Sequence, residues 1–113
     1  PGYAKLVTDI NGDNDSGLIP GEMPITWDGW GMYTLFADGT YWKQYKNGQF
    51  YSFQINSNLP ETVTRNNNYI GKSNWEADAY YTGSMSVIQL YNRALTEPEI
   101  TKCYNYFKGR YGL

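Results

Sequence analysis

No histidine occurs anywhere in these 113 residues, and there is a single cysteine, Cys103. Without histidine, Ser-His-Asp and Cys-His nucleophile systems are excluded, and so is any His-ligated metal. One cysteine rules out an internal disulfide, so the fold does not depend on oxidation. Cys103 falls at an apolar helical position and reads as an inert buried thiol. No apolar run is long enough for a membrane-spanning helix, so membrane insertion is not expected. Charge is sparse too: 18% of residues, 9 basic against 11 acidic, with no block of one sign. A net charge of −2 argues against nucleic acid as a partner, because phosphate binding wants a basic face. A Gly-rich phosphate loop, a serine nucleophile elbow and a zinc cluster are all missing. Few routes to an enzyme remain.

What the chain has in quantity is aromatic rings, 12 Tyr, 4 Trp and 4 Phe, alongside 12 Gly. This composition suits a β protein of short strands, in which Tyr and Trp present an apolar body to the core and a polar tip to the surface. The length suits one domain over residues 1–113. The first residues are Pro1-Gly2-Tyr3, which reads as a processed chain or a piece of a longer polypeptide.

Tyr3 to Thr8 predicts a short strand, followed by an irregular Gly- and Pro-containing stretch to residue 29. From Trp30 to Ile55 the pattern predicts three strands joined by tight turns at Asp38-Gly39 and Asn47-Gly48, since both dipeptides tolerate positive φ between β-rich runs. Further strands are expected at Asn68–Lys72 and at Gly83–Tyr91, the latter central because Val87 to Leu90 is apolar on both faces. The C-terminus predicts a helix. Thr96 is the N-cap, Glu99 completes a T-x-x-E capping box, Pro98 sits in the first turn, and Leu95 and Ile100 have staple spacing. Ile100, Cys103, Tyr104 and Phe107 follow at helical spacing as one apolar face, and Gly109 is the expected left-handed cap.

The run from Asn68 to Ile100 resembles the C-terminal half of laminin-G-like, concanavalin A-like lectin/glucanase domains. The residues carrying the likeness are Ile70-Gly71, Gly83, Tyr91-Asn92-Arg93-Ala94-Leu95 and Glu99-Ile100. Trp30, Asp38-Gly39 and Tyr45-Lys46-Asn47-Gly48 resemble the family's upstream Trp-strand and hairpins. The ending NYFKGRYGL is similar to versions of this domain in tailed-phage structural proteins. The resemblance implies an all-β, antiparallel, jelly-roll β-sandwich with one short C-terminal α-helix. It also implies a non-enzymatic binding or structural module at a virion surface or other extracellular site, as a capsid decoration or fibre-associated protein. A free carbohydrate-binding lectin is the alternative. Two departures stand out: Ser86 follows Gly83-Ser84-Met85 where the family places an acid, and most strands preceding the Trp-strand are missing. An incomplete sandwich leaves sheet edges open, and open edges seek partners. Neighbouring protein chains of an assembly, or further copies of this one, are therefore expected; a glycan is the partner that the lectin alternative implies.

Three sites can be drawn from the residues. Asp9, Asn11, Asp13 and Asp15 alternate as calcium-loop oxygen ligands do, which makes calcium the one cofactor the sequence offers and no other required. Position six of that loop is Asn14 rather than Gly and position twelve is Pro20 rather than Glu, so a solvated acidic loop stands beside the calcium reading. Trp75, Asp78 and Tyr80 form an aromatic and acidic ligand-binding candidate. Glu76 and Asp78 are reminiscent of a glycosidase acid pair, but Tyr80 holds the third position and leaves the set incomplete. Arg93 either reads a ligand or orders the corner before the helix.

Overall fold

The computed structural model describes residues 4–6, 23–25, 29–55, 62, 64 and 66–113. The chain divides into two compact units, Pro1–Pro60 with Tyr91–Leu113, and Glu61–Leu90. In the first unit, β1 (Ala4–Leu6) pairs antiparallel with β2 (Met23–Ile25), Ala4 opposite Ile25 and Leu6 opposite Met23. A three-stranded antiparallel sheet follows in the order β3 (Tyr33–Ala37), β4 (Tyr41–Lys46) and β5 (Gln49–Ile55). The helix α1 spans Glu97–Tyr111. The expected meander and helix are therefore present, with antiparallel pairing throughout the described strands.

The β4–β5 connection is a two-residue turn in which Asn47 and Gly48 both take positive φ, 51° and 75°. That matches the right-handed twist of the flanking strands. Asn47 also ties the turn to the start of β3. Its Oδ1 accepts from the Met32 N–H at 2.9 Å, and its own N–H donates to the Met32 carbonyl at 2.8 Å. The β3–β4 connection is longer than the Asp-Gly pair suggests, because Ala37 pairs with Trp42 and leaves Asp38 to Tyr41 between them. Asp38 Oδ1 accepts the N–H groups of Thr40 and Tyr41 at 2.8 and 2.7 Å, and these bonds hold its pKa below the ordinary aspartate range. An Asx turn satisfies the extra backbone groups.

The core lies on β4 and α1. Trp42, Gln44, Tyr45 and Ile100 are the buried residues among the described ones, with Ile100 at 0% exposure. Trp42 and Gln44 share one face by alternation. Tyr45 follows on the opposite face and is buried too, against Phe36, Phe50 and Glu97, so β4 is covered on both faces; the register shift beside it places the extra residue, Tyr51, on β5. Gln44 Oε1 accepts from Ser52 Oγ at 2.8 Å, while Gln44 Nε2 and Trp42 Nε1 have no partner among the described residues. Tyr45 stacks on Phe36 and meets Phe50 edge-on, and its hydroxyl donates to Glu97 Oε1 at 2.9 Å. Burial and the Glu97 carboxylate together push the Tyr45 pKa up to about 12.

The helix begins as its sequence predicts. The Glu99 N–H donates to Thr96 Oγ1, and the Thr96 N–H donates to Glu99 Oε2 at 2.8 Å, completing the capping box. Along α1, Glu97, Ile100, Tyr104 and Tyr111 fall on one side at helical spacing. Glu97 holds Tyr45, Tyr104 lies against the turn at Gly48, and Tyr111 meets Trp30 at 5.1 Å. Cys103 and Phe107 are half-buried beside them. The left-handed cap is Gly112 at φ 68°, not Gly109. Glycine within a helix costs only about 1 kcal/mol, and the Tyr111–Trp30 contact holds the extra turn in place. Replacing Thr96 by Ala is expected to cost on the order of 1 kcal/mol in a urea melt; an unchanged midpoint would show that the box contributes nothing.

Two expected strands are not formed. Asn68–Lys72 bends instead, because Gly71 adopts φ 75° and its carbonyl accepts the Tyr81 N–H at 2.8 Å. Gly83–Tyr91 makes no ladder with any strand among the described residues, and its apolar side chains are exposed. A strand exists through its pairing, and a run that is apolar on both faces needs a neighbour to become one. The described residues thus show two antiparallel sheets and a helix rather than a full sandwich. No helix among them is long and apolar enough to cross a membrane.

Candidate functional site

Within Glu61–Leu90, the Tyr81-to-Gly71 hydrogen bond closes residues 71–81 into a loop whose ends meet. Inside it, Ser73 and Trp75 exchange two bonds, the Trp75 N–H donating to Ser73 Oγ at 3.0 Å and the hydroxyl donating to the Trp75 carbonyl at 3.2 Å. The same carbonyl accepts the Asp78 N–H at 3.2 Å. These local bonds turn the chain at Trp75 and hold its ring outward. The result is a cleft of about 380 Å³.

Three rings line the cleft, Tyr69, Trp75 and Tyr80, with Trp75 at 53% and Tyr80 at 71% exposure. Between them stand the amides of Asn67 and Asn74 and the hydroxyl of Ser73; Lys72 and Glu76 supply one charge of each sign. Lys72 Nζ lies 4.6 Å from the Tyr69 ring centre and 5.9 Å from that of Tyr80, so cation–π attraction draws the two rings to one ammonium group. Flat apolar faces beside amide, hydroxyl and charged groups can stack on a ligand ring while bonding its edge.

Of the sequence-predicted ligand residues, Trp75 and Tyr80 line this cleft together. Asp78 sits in the turn beside it, bonded through its N–H to Trp75. Glu76 and Asp78 lie on a turn, so strand alternation does not align them. Arg93 belongs to the other unit, where its guanidinium makes a bidentate pair with Glu99 at 2.7 and 2.8 Å and also donates to the Ala94 carbonyl. Arg93 and the Thr96 N–H hold the Glu99 pKa down to about 2. This pairing therefore contributes above the ordinary glutamate range and is lost as pH falls towards about 2. Asp9, Asn11, Asp13 and Asp15 lie outside the described residues; among the described ones, no group of three or more acidic, His or Cys side chains could hold a metal. Sequence reasoning did not find Asn67, Tyr69, Lys72, Ser73 or Asn74. Their nearness in sequence to Trp75 was the available signal, but the loop closure that gathers them was not expected.

A laminin G-type model of the concanavalin A-like lectin/glucanases superfamily matches residues 3–101. The chain belongs to that family. Among solved structures, it is similar to the S-layer domain-containing protein (residues 221–444) from Clostridium thermocellum ATCC 27405. The TM-score is 0.62 and the identity 24%, over 74% of this chain and 46% of that one. The chain thus spans less than half of that solved domain, and the likeness is one of fold. A search of curated proteins gives no match.

Proposed function

We propose that this chain is a non-enzymatic binding module, displayed on the outside of an assembly, that takes a carbohydrate in the cleft between Tyr69 and Tyr80. The cleft carries the reading. Its exposed rings offer stacking faces for a sugar ring, and its amide, hydroxyl and charged groups offer both donors and acceptors to sugar hydroxyls. The family fits a binding module, since its description names lectins as well as glucanases. Against hydrolysis, which needs two facing carboxylates, the Glu76–Asp78 acids sit on a turn beside Tyr80 rather than alternating along a strand. A virion surface is the setting favoured by the Lys108-Gly109-Arg110-Tyr111-Gly112 ending, and the S-layer designation of the structural neighbour agrees with an outside location.

Titration of the chain with a panel of neutral and charged oligosaccharides, followed by calorimetry, tests this. At least one saccharide should bind, and Trp75→Ala should weaken it roughly tenfold, the loss of one stacked ring being worth about 1.4 kcal/mol. The melting temperature should stay unchanged, because the ring is half exposed. If no saccharide binds, or Trp75→Ala binds like the parent, the cleft is not a sugar site.

A further inference from the structure

Lys72 is the cation of the cleft, and no carboxylate answers it. Among the described residues neither Lys72 nor Glu76 makes an ion pair, so two opposite charges lining the same space do not cancel each other. What Lys72 touches is aromatic. Its Nζ stands 4.6 Å from the centre of the Tyr69 ring and 5.9 Å from that of Tyr80. Both rings are open to water, at 49% and 71% exposure, and cation–π attraction is weakest there. A charge-assisted hydrogen bond to an oxyanion is the stronger interaction for an ammonium group, which has three N–H donors to make it. All of these groups lie within Glu61–Leu90, so the arrangement is internal to one unit.

The position of the ammonium bears on what can enter. At 4.6 Å it occupies a face of the Tyr69 ring, so a sugar that stacks on that face displaces it. A neutral sugar offers the displaced ammonium only neutral acceptors. A sugar bearing a carboxylate or a sulfate ester offers it a full counter-charge while its apolar face takes over the ring. Selectivity of this kind is a difference between two occupants, and here it favours the charged one. Glu76, unpaired with Lys72, keeps its oxygens for sugar hydroxyls and repels an anion that Lys72 does not neutralise, so it sets which way round the ligand lies.

We propose that the cleft selects saccharides whose sugar units carry an anionic group, a carboxylate or a sulfate ester, and that Lys72 is the residue that reads this charge. The inference rests on the carbohydrate reading of the cleft and adds to it the class of sugar.

Calorimetric titration of the full chain with matched saccharides is the test. Oligosaccharides of glucose, galactose and mannose are each offered as the neutral chain, with C6 oxidised to a carboxylate, and with a sulfate ester at the C6 hydroxyl. For at least one backbone an anionic form should bind at least about tenfold tighter than its neutral parent, and the tighter of the two anions identifies the source of the charge. Raising salt from about 0.01 to 1 M, which shortens the Debye length from about 30 to 3 Å, should bring that ratio towards one. Lys72→Gln should do the same at low salt, whereas Lys72→Arg should keep the ratio; both should leave the circular dichroism unchanged, because the side chain is exposed. A parent chain that binds neutral and anionic forms alike overturns the proposal and leaves the carbohydrate reading standing. So does a ratio that survives Lys72→Gln or high salt, since the charge is then read elsewhere. Binding of no form at all removes the carbohydrate reading, and this inference with it.

Discussion

Ile100→Ala should lower the stability of the chain by about 2–5 kcal/mol, the usual range for emptying a fully enclosed aliphatic site. Ile100 has 0% exposure, and its neighbours along the helix are fixed at both ends of the contact. One turn earlier Glu97 accepts the Tyr45 hydroxyl, and one turn later Tyr104 lies against the hairpin at Gly48. The site therefore has little freedom to collapse around a cavity. Phe107, the larger residue on the same stripe, is only half-buried, and Phe107→Ala should cost less than Ile100→Ala. Urea melts of the two variants and of Thr96→Ala give the order. If Ile100→Ala moves the midpoint less than Thr96→Ala does, the helix does not close this core.

Trp42→Ala is the second large effect expected, about 3–5 kcal/mol. Trp42 stands on the central strand with Ala37 opposite on β3 and Gln54 opposite on β5, and is 5% exposed. Its indole N–H has no partner among the described residues, so the ring contributes through packing and its polar atom contributes nothing favourable. Trp42→Phe should accordingly be much milder than Trp42→Ala in thermal melts. Equal losses in the two variants would mean that the indole N–H has a hydrogen-bond partner.

The parts of the fold that were legible in the sequence are those whose signals are local. Asn47-Gly48 demanded two positive φ values and has them; Thr96 and Glu99 carried both halves of a capping box three residues apart. Other features depend on distant residues. β4 is buried on both faces at Gln44 and Tyr45, which the pattern of a half-buried strand does not predict, and the Tyr45 hydroxyl finds its acceptor 52 residues away. Gly109 looked like the helix stop because glycine and the preceding Lys108 suggest one, whereas the extra turn is held by Tyr111 on Trp30. In the candidate site, Trp75 and Tyr80 were legible as rings near acids. The remaining lining residues were not, since the bond from Tyr81 to Gly71 is what makes one concave surface of them.

The hairpin at Asn47-Gly48 also bears on how the chain ages chemically. In an Asn-Gly sequence the glycine nitrogen can attack the asparagine side-chain carbonyl and expel ammonia, forming a cyclic imide that water opens to aspartate or isoaspartate. Here that carbonyl oxygen is committed to the Met32 N–H, and the backbone on both sides is locked in the turn. The folded hairpin thus keeps nucleophile and carbonyl from the geometry that the attack needs, while an opened hairpin frees both. Deamidation at Asn47 therefore acts as a slow clock for the opening of β4 from β5, and an isoaspartate product would add one backbone carbon to a turn that has only two residues.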